Sequence, residues 1–150
     1  MPCAADRVPD RLWTIGYEGK TPDELVRLLL GAGVRRLVDV RELPMSRKKG
    51  FSKRSLATRL AAEGIDYHHL RALGAPREVR HKWRDGGAFE EFRSAYLDHL
   101  ERQGEALDEL ERLATERPTT ILCVEANHHD CHRHFVGAEL GRRGWTIVHL

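Results

Sequence analysis

Five short apolar runs, set apart by longer stretches with helical spacing, organise this chain. Leu12-Trp13-Thr14-Ile15 reads as a strand that stops at Gly16-Tyr17-Glu18-Gly19, a turn with two glycines for unusual backbone angles. Thr21-Pro22-Asp23-Glu24 then opens a helix with cap, first-turn proline and first-turn acids in order. Leu25, Val26, Leu28 and Leu29 supply its buried face, and Gly31 and Gly33 end it. Arg36-Leu37-Val38-Asp39-Val40 is the second strand, and a crossover of that length demands parallel pairing.

Residues 52 to 63 form the next expected helix, closed by Gly64, and residues 65 to 70 a short third strand. Leu73-Gly74-Ala75-Pro76 begins what reads as a long irregular connection. Residues 89–102 and 105–117 have helical spacing, with Phe89, Phe92, Tyr96, Leu100, Leu107, Leu110 and Leu113 facing inward. Thr119, Thr120, Ile121, Leu122 and Val124 carry no interrupting charge, as a strand buried on both faces does. A helix from about Cys131 to Arg143 and a strand over residues 145–150 complete the alternation. Strands and helices alternating in this way predict one α/β domain over residues 1–150, with residues 1–10 a loose lead-in. Its expected architecture is a three-layer α/β/α sandwich around a mostly parallel, Rossmann-like sheet of about five strands.

At 150 residues, 41% of them hydrophobic and 32% charged, the chain can bury a core of its own, which sets aside a disordered tail. No apolar run approaches the roughly 20 residues that span a bilayer, and the first residues lack the apolar centre of a signal peptide. The expectation is therefore a cytoplasmic protein whose three cysteines are thiols or metal ligands and not staples, with no membrane partner. A net charge of +2 argues little about partners, but its distribution says more. Arg47, Lys48, Lys49, Lys53 and Arg54 crowd the connection after the second strand.

In a parallel sheet all strands end on one side, where α/β proteins bind ligands. That rim collects Tyr17 and Glu18 from the first strand, Asp39, Arg41 and Ser46 from the second, and Cys123, Glu125, Cys131, His132 and Arg133 from the fourth. Three chemistries suit such a set. A thiolate at Cys131 is favoured at a helix start beside His132 and Arg133, though the spacing matches neither a CxxC pair nor the Cys-x5-Arg loop of phosphatases. A metal ion is possible, with Cys123, Cys131 and His132 as ligands beside His128, His129 and Asp130, though the spacing matches no familiar zinc motif. Anion recognition suits Arg41, Arg47, Lys48, Lys49, Lys53 and Arg133. The Gly16 to Gly19 turn is not a dinucleotide fingerprint, and no cofactor is predicted.

Thr14-Ile15-Gly16-Tyr17-Glu18-Gly19, Leu37-Val38-Asp39-Val40-Arg41 with Pro44 and Ser46, Gly50-Phe51, Tyr67 with Leu73-Gly74, and Leu122-Cys123-x-Glu125 followed by Cys131-His132-Arg133 occur in that order. Together they resemble the bacterial and archaeal family known as domain of unknown function 488 (DUF488), over residues 13–150. The resemblance implies an α/β fold and a functional site made of the same rim residues, and no assigned activity. The expected function is a cytosolic enzyme acting on a phosphorylated or nucleic-acid-derived substrate. Cys131 would be its nucleophile or orienting thiol, Glu18 or Glu125 its general acid or base, and His132 and Asp39 further proton-transfer groups. Tyr17, Arg41, Ser46, Arg133, Lys48 and Lys49 would hold the substrate. The alternatives are a non-catalytic nucleotide- or nucleic-acid-binding module and, more remotely, a thiol or metal sensor.

Overall fold

The structure, a computed structural model, describes residues 10–84, 89–125 and 132–150. Its elements alternate as β1 (Arg11–Gly16), α1 (Pro22–Ala32), β2 (Arg36–Asp39), α2 (Lys53–Ala61), β3 (Asp66–His69), α3 (Arg77–Arg84), α4 (Phe89–Glu101), α5 (Gly104–Glu116), β4 (Thr119–Cys123), α6 (Arg133–Arg142) and β5 (Thr146–His149). The five strands form one sheet in the order β3-β2-β4-β1-β5, and every pairing is parallel. This is a three-layer α/β sandwich of Rossmann-like type.

Local signals explain the boundaries. Thr21 caps α1 through a reciprocal capping box with Glu24, Pro22 opens the helix, and Gly33 closes it in the left-handed conformation. One expectation fails: the connection after Gly74 is not irregular throughout, because residues Arg77–Arg84 form α3. That stretch has no glycine or proline and is rich in Arg, Glu and Lys, good helix formers, and its apolar signal is confined to Val79 and Trp83, one turn apart, with Val79 packed against the core.

The sheet separates two cores. Side chains alternate along each strand, so Leu12, Val38, Ile121 and Cys123 face the layer of α4, α5 and α6. Ile15, Tyr17, Leu37 and Leu122 face the layer of α1 and α2. Parallel partners in register share a face, and Gly16 pairs with Cys123 while Asp39 pairs with Leu122. Residues at the carboxyl ends of the strands are thereby sorted onto opposite sides of the sheet.

Candidate functional site

The α1/α2 side of the rim is organised by a buried ion pair. Asp39 is 0% and Arg41 4% exposed. Arg41 Nε donates to Asp39 Oδ1 at 2.8 Å, Nη2 to Oδ2 at 2.6 Å, and the Arg41 amide to Oδ1 at 3.1 Å. Tyr67 adds its hydroxyl to Oδ2 at 2.5 Å. Arg41 Nη1 donates to the Phe51 carbonyl at 2.8 Å and to the Tyr17 hydroxyl at 3.3 Å. Burial alone would lower the Arg41 pKa, but the bonds and charge of Asp39 outweigh it and hold the value above that of a free arginine. Burial and the adjacent Asp39 carboxylate likewise push the Tyr67 phenol well up. Tyr17 stacks on Phe51 with ring centroids 4.5 Å apart, and Lys48 sits over the other ring at 5.6 Å.

Neighbouring histidines fix the backbone just past β2. His132 Nε2 lies 2.6 Å from the Val40 carbonyl and His69 Nε2 2.6 Å from that of Arg41. A carbonyl only accepts, so both imidazoles carry their proton on Nε2. Burial, opposed in part by the bond to Val40, pulls His132 down to about 4, which keeps the ring neutral. Gly74 packs so closely on this segment that an added Cβ would stand 2.2 Å from the Glu42 nitrogen, a case where glycine is needed for space.

The α6 side holds a second buried arginine. Arg133 is 0% exposed and donates from Nη1 to the Thr14 hydroxyl at 2.6 Å and from Nη2 to the Glu125 carbonyl at 3.1 Å. Thr14 is also 2.5 Å from His149 Nδ1. Burial pulls the Arg133 guanidinium down to about 10, with the nearby Glu125 charge opposing part of the fall.

Glu18 and Glu125 lie just past the ends of the adjacent strands β1 and β4. The Glu18 amide donates to the Val124 carbonyl at 2.8 Å and that of Tyr17 to Cys123 at 3.2 Å, so β1 and β4 run on together beyond the last residues of the strands. After them the chain parts: α1 lies over one face and α6 over the other. Such a parting between adjacent strands opens the crevice in which doubly wound sheets bind ligands. Glu18 is exposed there, Glu125 is half-buried, and half-buried Lys20 folds back so that Nζ reaches the Gly16 carbonyl at 2.9 Å.

The residues expected at one rim thus divide. Tyr17, Asp39 and Arg41 form the scaffold of one face, with Ser46 accepting from the Lys48 amide at 3.0 Å to shape the following loop. Glu125, His132 and Arg133 gather on the other, and Lys49 lies away from them in a cleft against Thr21 and Pro22. Cys131, with His128, His129 and Asp130, lies outside the described residues. Cys123 is disulfide-bonded, which corrects the expectation of free thiols: spacing along a chain does not report which sulfurs approach in space. Among the described residues no group of three or more His, Cys, Asp or Glu side chains is placed to hold a metal ion. The Asp39–Tyr67 and Thr14–Arg133 contacts have one sequence signal between them, a threonine inside the apolar run of β1. Lys20 had the better one, a lone cation just past a strand end.

The family model for "Domain of unknown function DUF488" matches residues 21–140. The chain belongs to the DUF488 family. No curated protein and no solved structure matches it. Membership in DUF488 carries no activity with it, so the chemistry rests on the geometry. Among the described residues no helix is long and apolar enough to cross a membrane.

Proposed function

We propose that this DUF488 protein is a cytoplasmic enzyme acting on a phosphorylated or nucleic-acid-derived substrate in the crevice between β1 and β4. The observation that carries this reading is the pair Glu18 and Glu125, set on adjacent strand ends where α1 and α6 part to opposite faces. Their environments differ: Glu18 is open to solvent, and Glu125 is half-buried beside a guanidinium. Two carboxylates held differently are suited to opposite halves of a proton transfer. Lys20 supplies a cation for an anionic substrate, Arg133 positions Glu125, and the Asp39–Arg41 pair keeps the surrounding loops in place. Cys131 follows within the same connection and is the thiol this reading would use.

The test is turnover across a panel of phosphorylated sugars, nucleotides and nucleosides with the whole chain and with Glu18→Gln and Glu125→Gln. Loss of about 10²- to 10⁴-fold in kcat with little change in KM is expected for either variant. Undiminished turnover in both would remove the carboxylates from the mechanism.

The Cys123 disulfide favours a second reading, a thiol sensor. Binding or turnover that is the same in oxidised wild type, reduced wild type and Cys123→Ser would end it.

A further inference from the structure

The crevice makes no use of the most concentrated charge on the molecule. Arg47, Lys48, Lys49, Lys53 and Arg54 lie within eight residues that contain no acid, and none of them enters an ion pair among the described residues. Several cations elsewhere are paired instead: Arg59, Arg93, Arg112, Arg142 and Arg143 each lie within 3.5 Å of carboxylates. Fold stability does not account for so dense a cluster. Lys53 and Arg54 stand in the first turn of α2, the end where a helix disfavours cations, and α2 has no acid there, whereas α1 carries Asp23 and Glu24.

A merely solvated run of charge needs no scaffold, and this one is heavily scaffolded. Arg41 holds the Phe51 carbonyl, and the Ser46 amide donates to Ser52 Oγ at 3.0 Å. The Lys53 amide is tied to Pro44 at 2.8 Å. Gly50, at a φ of +91°, lies so near Pro22 that a Cβ there would be 2.6 Å from its ring. Beside the cations the loop exposes Leu43 at 48% and Met45 at 73%, and an open cleft of about 550 Å³ separates Lys48, Lys49 and Ser55 from Thr21, Pro22 and Asp23, whose carboxylate is paired with Arg59 at 3.0 Å.

We infer that this loop and the start of α2 form a binding surface for a polynucleotide strand, separate from the crevice chemistry. The five cations track successive phosphates, Leu43 and Met45 give apolar contact to bases, and the cleft receives one nucleotide. A concave cleft beside the cations favours a strand over a flat lipid headgroup surface, and the pre-set loop lowers the ordering cost of binding.

The experiment is fluorescence anisotropy of the full chain with a 20-nucleotide single-stranded RNA and a DNA of the same sequence, at several salt concentrations. Lys48→Ala/Lys49→Ala/Lys53→Ala is compared with Arg93→Ala/Arg112→Ala/Arg142→Ala, which removes the same net charge from paired positions. The expected result is binding by wild type and control, and a loss of at least about tenfold in the lysine variant. The log–log salt slope should fall by about 2, as three single-strand phosphate contacts are lost. The triple Lys→Arg variant, which keeps the charge, restores binding and guards against a folding defect. Equal weakening of both alanine variants would mean that net charge alone attracts the strand and would overturn the surface. So would retention of anionic-lipid vesicles, or of a mononucleotide, by a protein that ignores the oligonucleotide. Because binding is read without turnover, it is decided independently of Glu18 and Glu125.

Discussion

Arg41 and Arg133 are both buried at the carboxyl end of one sheet, on opposite faces, and they settle their charge differently. Arg41 is matched by a carboxylate at 0% exposure and has nearly every donor engaged. Arg133 bonds to a hydroxyl and a carbonyl, and Glu125 opposes only part of the burial that pulls it to about 10. The first arrangement is self-contained: it fixes the loop through Phe51 and has little left to offer a ligand. The second is held through Thr14 and the Glu125 carbonyl, and burial outweighs the Glu125 charge in setting its pKa. A buried charge whose environment disfavours it is easier to explain by function than by folding.

The comparison breaks most directly at Asp39. Asp39→Asn leaves Arg41 charged, buried and unneutralised, and should cost about 3–5 kcal/mol in urea unfolding. Replacing both partners, as Asp39→Leu with Arg41→Met, removes the charge and should recover most of that loss while loosening the loop that ends at Phe51. A single Asp39→Asn substitution that unfolds like wild type would show that the pair is not what stabilises this face.

His132 sharpens the contrast, because it precedes Arg133 and is held to Val40. Its folded pKa of about 4 lies below the ordinary 6.5, so the fold prefers the neutral ring. At pH 7 both states are neutral and the preference contributes nothing. As pH falls from 6.5 to 4 the unfolded chain takes up the proton first, and stability drops by about 2 kcal/mol after allowance for partial exposure. His132→Gln can donate the same bond without titrating, so its unfolding midpoint should fall less between pH 7 and 4.5. Equal acid sensitivity in the two proteins would assign the loss to other groups.

Tyr67→Phe removes one donor from Asp39 and leaves the guanidinium in place. Loss of a hydrogen bond to a charged group predicts about 2 kcal/mol, smaller than the loss at Asp39 itself. Unfolding energies that ranked the two the other way would make the tyrosine, and not the arginine, the main partner of the carboxylate.

Much of this fold was legible because each element carried a local cause. The alternation of apolar runs with Thr21-Pro22 and Gly33 punctuation gave the strands and most helices, and a buried β4 followed from its uncharged run. α3 was hidden because its apolar spacing is only the pair Val79 and Trp83 in an otherwise charged run, too short a pattern to stand out from a loop. At the site, the residues were legible but their grouping was not. Asp39 and Arg41 share a side with Tyr17, and Cys123 the opposite one, because side chains alternate along paired strands, and a list of residues at strand ends carries no face. The strand order that makes β1 and β4 neighbours, and so sets Glu18 and Glu125 past adjacent strand ends, depends on non-local pairing that no stretch of sequence displays.

Arg133→Met carries the smallest expected effect on stability and separates the two arginines most cleanly. Methionine fills a similar volume, removes the desolvated charge, and leaves Thr14 able to bond His149 and the half-buried Glu125 carbonyl open to water. Unfolding should therefore change by less than about 1 kcal/mol or shift toward greater stability, because an apolar residue in place of a buried charge is often neutral or better. Turnover or ligand binding at the crevice should fall all the same, since Glu125 loses the group that positions it. A second readout separates positioning from a general structural defect: kcat should fall with KM little changed, and Arg133→Lys, which keeps the cation, should restore part of the loss. If Arg133→Met instead unfolds as readily as Asp39→Asn, both arginines are structural and the crevice loses its strongest argument.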